Sequence, residues 1–462
     1  MNENLNSSVR KRLLIVSYHF PPDAAVGSVR PAKFAKYLQL YGWTPVVLTI
    51  KKRYYERLDL TKTEEVKEIP TFRTIKIPTI SDIYLAMKNV YLKKIKLKNL
   101  DVEKQKWVPQ RKRLSVRKEG IFWKLHRYIN SLIISLPDGQ VGWVLPASIK
   151  GLSLMRKYKI DAILTTGPPH SVHLIGMILK ILSGKPWITD FRDPWSIDHK
   201  PFYSRSKPAD SINMWLIRKV IQRSDYVVSV TVEMSEMFKK HYQDVPKEKF
   251  HTIWNGYDSE DIGKCASINK YNKFTITYTG TLYLSRDPAT LLSALSDLIR
   301  EGRVDRNNIQ VRFIGNCRYV EGQSVEKMAA DLGLQGLVAV IDPLPRHQAL
   351  EEVAKSHALL LFPGQPWSIP VKLFEYIGLR SYIIAVCGEG ATMMNLLKEY
   401  PKAIIVPPND LEQMKKAITT LLSRRYNNYE DVVDNFPYKT FERRDLARRL
   451  AILLDRLTEK FS

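Results

Sequence analysis

What most limits the fold of this 462-residue chain is an alternation, met twice, of short apolar runs with amphipathic runs of helical period. Apolar segments of four to eight residues read as strands buried on both faces of a parallel sheet, and the periodic runs between them as the helices that cover it. In the first half, strands are expected at Leu13–Ser17, Thr44–Ile50, Asp161–Thr165, Trp187–Asp190, Tyr226–Val230 and Phe250–Trp254. Helices are expected over Arg30–Tyr41, which Gly42 stops, and over Ser171–Leu182, Ile212–Gln222 and Glu233–His241. From Asn255 to Asn272 the pattern lapses into polar NGYDSEDIGKCASINKYN, which reads as a linker. A second set of strands follows at Phe274–Tyr278, Ile309–Ile314, Val338–Ile341, Ala358–Phe362, Tyr382–Val386 and Ala403–Val406, and Phe441–Leu457 reads as one long amphipathic helix. The expected fold class is α/β, with two doubly wound parallel-sheet domains. The first spans 1–255 and carries a basic, weakly patterned insertion at about 51–128; the linker is 256–272, the second domain 273–440, and the helix of 441–462 returns toward the first domain. Two such domains on a linker imply a cleft that encloses a substrate.

Apolar content of 44% and charged content of 26% are those of an ordinary globular protein. No run approaches the ~18 apolar residues of a spanning helix, and Leu13–Val16 is too short for a signal peptide, so the chain is expected in the cytoplasm. Cys265, Cys317 and Cys387 are isolated and form neither a metal pattern nor a disulfide framework. The net charge of +25 is unevenly placed: residues 1–250 hold 45 Lys and Arg against 22 Asp and Glu. Within them Lys88–Lys118 has 12 basic and two acidic residues, with Trp107 inside and the apolar-rich Ile121–Leu136 following. Such a patch suits a polyanion: a nucleic acid, a phosphorylated substrate or the anionic leaflet of a membrane. A nucleic-acid-binding protein is the reading from a different class. It calls for a recognisable module or stacking aromatics on a basic sheet, and neither is visible, so no nucleic-acid partner is expected.

In an open α/β sheet, ligands sit where a strand's carboxyl end turns into the next helix, because free N–H groups and the positive end of the dipole converge there. Ser368–Gly378 (SIPVKLFEYIG) is such a turn. Lys372 adds a full charge to the anion site, and Glu375, one turn on, is spaced to accept hydrogen bonds from a diol such as ribose; the same pair also fits a solvated i, i+3 contact. In YTGTLYLSRDP (Tyr278–Pro288), Gly280 permits close backbone approach and Arg286 lies near a helix start, so Arg286 and Lys372 are placed to flank one pyrophosphate. In the first half, SYHFPPDAAVGSVRPAKF (Ser17–Phe34) turns at Gly27 and Ser28 into a helix carrying Arg30, without the GxGxxG spacing of an NAD or FAD site. TDFRDPW (Thr189–Trp195) sets Asp190 and Asp193 either side of Arg192; such acids bind or deprotonate a hydroxyl, or cap the loop as an Asp–Arg pair. In TTGPPHSVH, His170 and His173 lie near a helix start with no third metal ligand in view, so His170 reads as a polar lining or a capping residue. No metal and no cofactor are expected.

In order and spacing these segments resemble bacterial glycosyltransferase family 4, of the GT-B fold with two facing Rossmann-like domains, over almost the whole chain. The first half resembles the acceptor domain in Pro21–Arg30, LPDGQVGW (Leu136–Trp143), TTGPPHSVHLIG (Thr165–Gly176), TDFRDPW and WNGYD (Trp254–Asp258). The second resembles the donor domain in YTGTLYLSRDP, Val340–Phe362 and IPVKLFEYIG. The resemblance implies transfer of a sugar from a nucleotide diphosphate-sugar, itself a substrate, to an acceptor hydroxyl, with retention and without metal. It implies Gly27, Gly280, Arg286, Leu344, Trp367, Ile369, Val371, Lys372 and Glu375 on the donor side, Ser28, Arg30 and His170 on the acceptor side, and Asp190, Arg192, Asp193, Arg286 and Lys372 around the reacting atoms. Glu375 matches the second acid of the family's Glu-x(7)-Glu motif; Trp367 stands where the first is expected, and Thr281 where an arginine often follows the glycine. Lys372 is expected to replace the lost charge and Trp367 to pack on the sugar. The acceptor is expected to be lipid- or glycan-linked, in cell-surface polysaccharide or glycolipid synthesis such as lipopolysaccharide or exopolysaccharide, with the enzyme peripheral on the inner membrane face through its basic half. A sugar-nucleotide epimerase is the alternative on the same fold.

Overall fold

The computed structural model describes residues 10–79, 82, 136–197, 200–201, 207–283, 286–362, 368–426 and 435–461. The chain divides into two compact units, Met1–Ile253 with Ala447–Ser462, and Trp254–Leu446. The first holds a seven-stranded sheet of β1 (Lys11–Ser17), β2 (Trp43–Ile50), β3 (Thr71–Thr74), β4 (Ala162–Gly167), β5 (Trp187–Phe191), β8 (Tyr226–Ser229) and β9 (Phe250–Thr252), with a small antiparallel pair, β6 (Ser196–Ile197) and β7 (Lys200–Pro201), outside it. The order is β3-β2-β1-β4-β5-β8-β9, and every pairing in the large sheet is parallel. Its helices are α1 (Val29–Tyr37), α2 (Val144–Lys157), α3 (Ser171–Ser183), α4 (Lys207–Arg223) and α5 (Val232–His241). This is a doubly wound sheet whose strand order reverses between β1 and β4.

The second unit repeats the plan. It begins with α6 (Ser259–Gly263), β10 (Phe274–Thr281), α7 (Ala289–Arg300), β11 (Ile309–Asn316), the hairpin of β12 (Tyr319–Val320) and β13 (Gln323–Ser324), and α8 (Val325–Asp331). It continues with β14 (Val338–Ile341), α9 (Arg346–Lys355), β15 (Ala358–Leu361), α10 (Val371–Gly378), β16 (Tyr382–Val386), α11 (Met393–Glu399), β17 (Ala403–Val406) and α12 (Leu411–Tyr426). The parallel order β14-β11-β10-β15-β16-β17 reverses between β10 and β15. Continuous apolar strands bury both faces in each unit: Leu13 to Val16 and Leu359 to Leu361 are almost wholly enclosed.

The last helix, α13 (Arg443–Glu459), begins in the second unit and ends in the first. Leu446, Leu450, Leu454 and Leu457, spaced three or four apart, are buried along one stripe. In the first unit Lys11 reaches Asp455 at 3.0 Å and Thr458 at 2.9 Å, and the buried Trp43 donates its Nε1–H to Asp455 at 3.2 Å. The stretch 256–272, read from composition as a linker, packs on the second unit: Tyr257 and Cys265 are buried, and the Tyr257 amide donates to the Phe441 carbonyl at 3.0 Å. Polar composition misleads there because only two apolar residues are fully buried, with Ile262 and Ile268 packed partly buried beside them. The stretch after Lys51 is not structureless either, since β3 (TFRT) completes the edge of the first sheet; half-buried and polar, it carries no apolar run to reveal it. Lys88–Lys118 lies outside the described residues. Among the described residues, no helix is long and apolar enough to cross a membrane.

Candidate active site

At the switch point of the second sheet, Gly280, the penultimate residue of β10, has a φ of 134° and lies beside Gly315 at 124°. L side chains avoid both conformations, and a Cβ on Gly315 would lie 2.1 Å from the Gly280 carbonyl oxygen, so the strand ends present bare backbone. A Cβ on Gly280 would in turn lie 2.8 Å from Lys372 Nζ. Lys372, in the first turn of α10, donates to the Thr279 carbonyl and lies 4.1 Å from the ring centre of the buried Tyr278. Arg286 hydrogen-bonds the hydroxyl of the same tyrosine and stacks 4.5 Å over Tyr283. Burial, and then the charge of Arg286, lower the Lys372 pKa to about 7. Two cations thus converge on one aromatic ring at a strand end, beside a helix whose first turn no side chain caps. An anion in this place relieves their repulsion and accepts the free N–H groups of α10. Cys317 lies against the Gly280 carbonyl, but burial pushes its thiol up to about 12, so it stays neutral.

Ile369 is buried, Val371 half-buried at the start of α10, and Leu344 half-buried in the loop after β14, two strands from β10. Trp367 lies outside the described residues. Glu375, one turn along α10, is not a loose surface acid: Arg346 Nη2 donates to its Oε1 at 2.7 Å while Nη1 donates to Asp261 at 2.7 Å. Burial opposes the charge on Arg346, but Glu375 and Asp261 outweigh it and raise its pKa. One Glu375 oxygen is therefore oriented by the guanidinium and the other retains its acceptor capacity. Arg346 escaped the sequence reading. The available signal was a cation in the first turn of a helix, where the dipole disfavours it unless acids compensate.

The switch point of the first sheet joins Gly27 after β1 to Gly167, the last residue of β4, and to Pro168 and His170 after it. Arg192, from the loop after β5, staples the two: its Nε donates to the Gly167 carbonyl at 3.0 Å, and its two Nη groups to those of Gly27 and Pro168 at 2.5 Å each. Burial lowers its pKa, with Asp190 and Asp193 opposing. Asp190 is not available as a proton acceptor. It is 1% exposed, takes two hydrogen bonds from Arg30 Nε and one at 2.7 Å from Nη2, and accepts a fourth from the Thr166 hydroxyl at 2.7 Å. Arg30, expected on the acceptor side, is buried as its partner and also holds the Ile253 carbonyl at 2.9 Å. Ser28 is likewise enclosed, its hydroxyl donating to the carbonyls of Asp23 and Ala25.

Asp193 differs: it is half-buried, and burial raises its pKa against the pull of Arg192. His170 stacks on Trp195 with ring centres 5.1 Å apart and planes 7° apart. Burial, with Arg192 pushing the same way, lowers its pKa to about 3, so it is a neutral lining group whose buried Nδ1 has no hydrogen-bond partner among the described residues. His173 is fully buried and bonds Thr165 at 2.9 Å. A cavity of about 250 Å³ bounded by Val304, Ile309 and Leu422 lies at the amino edge of the second sheet and belongs to neither switch point.

The model for Glycosyltransferase Family 4 matches residues 115–261, and that for Glycosyl transferases group 1 matches 273–424. No curated protein matches the sequence. Among solved structures, a glycosyltransferase from Rickettsia africae is similar at 13% identity and a TM-score of 0.60, with 97% of this chain and 99% of that one covered. Sucrose-phosphate synthase from Thermosynechococcus elongatus is similar at 12% identity and 0.59, covering 98% and 100%. Anabaena Alr3699/HepE, solved in complex with UDP and glucose, is similar at 14% and 0.59, covering 97% and 100%. At these identities the likeness is one of fold.

Proposed function

Since the chain belongs to the family 4 glycosyltransferases, with the two parallel-sheet units of the GT-B fold, we propose that it moves a sugar from a nucleotide diphosphate-sugar to the hydroxyl of a lipid-linked acceptor, with retention at the anomeric carbon. The observation that carries the donor assignment is the pair Lys372 and Arg286 on Tyr278, beside the bare backbone of Gly280. A buried lysine lowered to about 7 beside a second cation is a site waiting for negative charge. HepE, with UDP bound on the same fold, makes uracil the first base to try.

As the anomeric C–O bond breaks, positive charge grows on the sugar and negative charge on the departing diphosphate. Lys372, Arg286 and the N–H groups at the start of α10 stabilise the second, a contribution of ~3–4 kcal/mol for a well-placed donor. Glu375, oriented by Arg346, accepts from the ribose hydroxyls. Trp367 packs on the sugar, and Leu344 and Ile369 give apolar cover. In the first unit, Asp193 and His170 bind acceptor hydroxyls, while Asp190, Arg30 and Arg192 hold the loops that carry them. No step needs a metal.

The basic segment Lys88–Lys118, with Trp107, holds the enzyme to an anionic membrane surface where a polyprenyl-linked acceptor of cell-surface glycan synthesis resides. A thermal-shift panel of nucleotide diphosphates and nucleotide sugars tests the donor assignment: one base raises the midpoint in proportion to occupancy in wild type and not in Lys372→Met. A flat panel contradicts it. Salt-sensitive binding to phosphatidylglycerol vesicles tests the membrane role, and equal binding to neutral vesicles contradicts it.

A further inference from the structure

We propose that His19, held by Asp23, takes the proton from the acceptor hydroxyl; this rests on reading the first unit as the acceptor side. His19 lies two residues beyond β1, at the switch point of the first sheet. Its Nδ1 lies 2.6 Å from Oδ2 of Asp23, whose side chain is only 5% exposed and whose Oδ1 accepts the Ala25 amide at 2.9 Å. A carboxylate with both oxygens so fixed only accepts, which places the imidazole proton on Nδ1 and a lone pair on Nε2. The His19 side chain is 30% exposed, and Nε2 has no hydrogen-bond partner among the described residues. The backbone is fixed as well, since Ser17 donates to the His19 carbonyl at 2.8 Å and the Tyr18 ring meets the imidazole edge-on at 5.1 Å. A Cβ built on Gly27 would lie 3.4 Å from His19 Cδ2, so the imidazole stands over the turn that Arg192 staples. A base oriented by a buried acid, with its second nitrogen open, is the arrangement that activates a hydroxyl.

The other candidates lack it. Asp190 is spent on Arg30 and Thr166, His170 presents a buried nitrogen, and Asp193 has no orienting hydrogen bond among the described residues. The charged groups around His19 are Asp23 on its own loop, Arg192 beside Gly27, and Lys62, whose Nζ donates to the carbonyls of Asp23 and Ala24; Asp82 and Asp138 act on the neighbouring Tyr18. In the step itself, the acceptor oxygen bonds to the anomeric carbon on the face from which the diphosphate departs, which keeps the configuration, while its O–H proton moves to Nε2. The C–O bond to the diphosphate breaks with its electron pair on the leaving oxygen. The imidazolium, stabilised by Asp23, then gives its proton to water.

The test is the pH dependence of transfer from the nucleotide sugar found by the binding panel to a membrane lipid extract, in wild type, His19→Gln, His19→Gly and Asp193→Asn. Absence of transfer by wild type overturns the transferase reading itself. Given wild-type transfer, the His19 variants are expected to lose about 10²–10⁴ in kcat/KM and the acid limb of the pH profile, with circular dichroism and donor affinity unchanged. Added imidazole is expected to restore part of the rate of His19→Gly and none to His19→Gln. His19 variants within about threefold of wild type, or an acid limb removed by Asp193→Asn alone, overturn the proposal and give the proton to the leaving diphosphate or to Asp193.

Discussion

Lys372 makes the donor site sensitive to pH in a way that can be worked through. Burial, with Arg286 adding to it, holds its pKa at about 7 against an ordinary 10.5. In the ligand-free protein, about half of these side chains are then charged at pH 7 and about a tenth at pH 8. A diphosphate against the ammonium restores the charge, so binding takes up about 0.5 proton at pH 7 and about 0.9 at pH 8, and affinity falls about tenfold, or about 1.4 kcal/mol, per unit above pH 7. The ligand of choice is the nucleotide sugar, whose diphosphate diester does not titrate in this range. Isothermal titration in buffers of different ionisation enthalpy reads the proton count directly. Lys372→Met is expected to bind more weakly and to lose both the uptake and the slope. An uptake near zero at pH 8, or one that persists in Lys372→Met, refutes the reasoning. The sign for stability follows from the same depression. The unfolded chain binds the extra proton between about pH 7 and 10.5, so the ligand-free protein gains stability as pH rises through that window, and the gain is absent below it.

Asp190→Asn leaves the Arg30 guanidinium buried without its counter-charge, which costs about 3–5 kcal/mol; chemical denaturation should show the loss in the first unit while donor affinity stays at the wild-type value. Gly280→Ala forces a side chain into a φ of 134° and toward Lys372 Nζ, and is expected to weaken nucleotide binding by at least tenfold in the same titration. Arg346→Met frees Glu375 and removes the guanidinium from Asp261. It should raise the donor KM with little change in kcat and cost about 2 kcal/mol, less than a fully buried pair because the guanidinium is 27% exposed.

All the large-sheet strands except β3 need no structure to find, because each carries an apolar run: Val338–Ile341, Tyr382–Val386 and Ala403–Val406 are bounded where their apolar runs are. β3 escaped because an edge strand with polar, half-buried residues has no such run. The site divides in the same way. Glycine and cation at strand ends identify Gly280, Arg286 and Lys372, because the chemistry of an anion site is local to a turn. Whether an acid is free or paired is decided by residues far away in sequence: Asp190 is closed by Arg30, 160 residues earlier, and Glu375 is oriented by Arg346, 29 residues earlier. Asp23 stayed hidden for a different reason: its pairing with His19, only four residues away, depends on how a proline-containing loop folds back, and no periodicity announces that.

Sugar transfer itself is read by following a ¹³C-labelled nucleotide sugar incubated with the pure protein, with and without a membrane lipid extract. Label is expected on a lipid-linked product with the anomeric configuration of the donor, and nucleoside diphosphate released in step with it only when the extract is present. Conversion of the nucleotide sugar to an epimer without any acceptor would contradict sugar transfer.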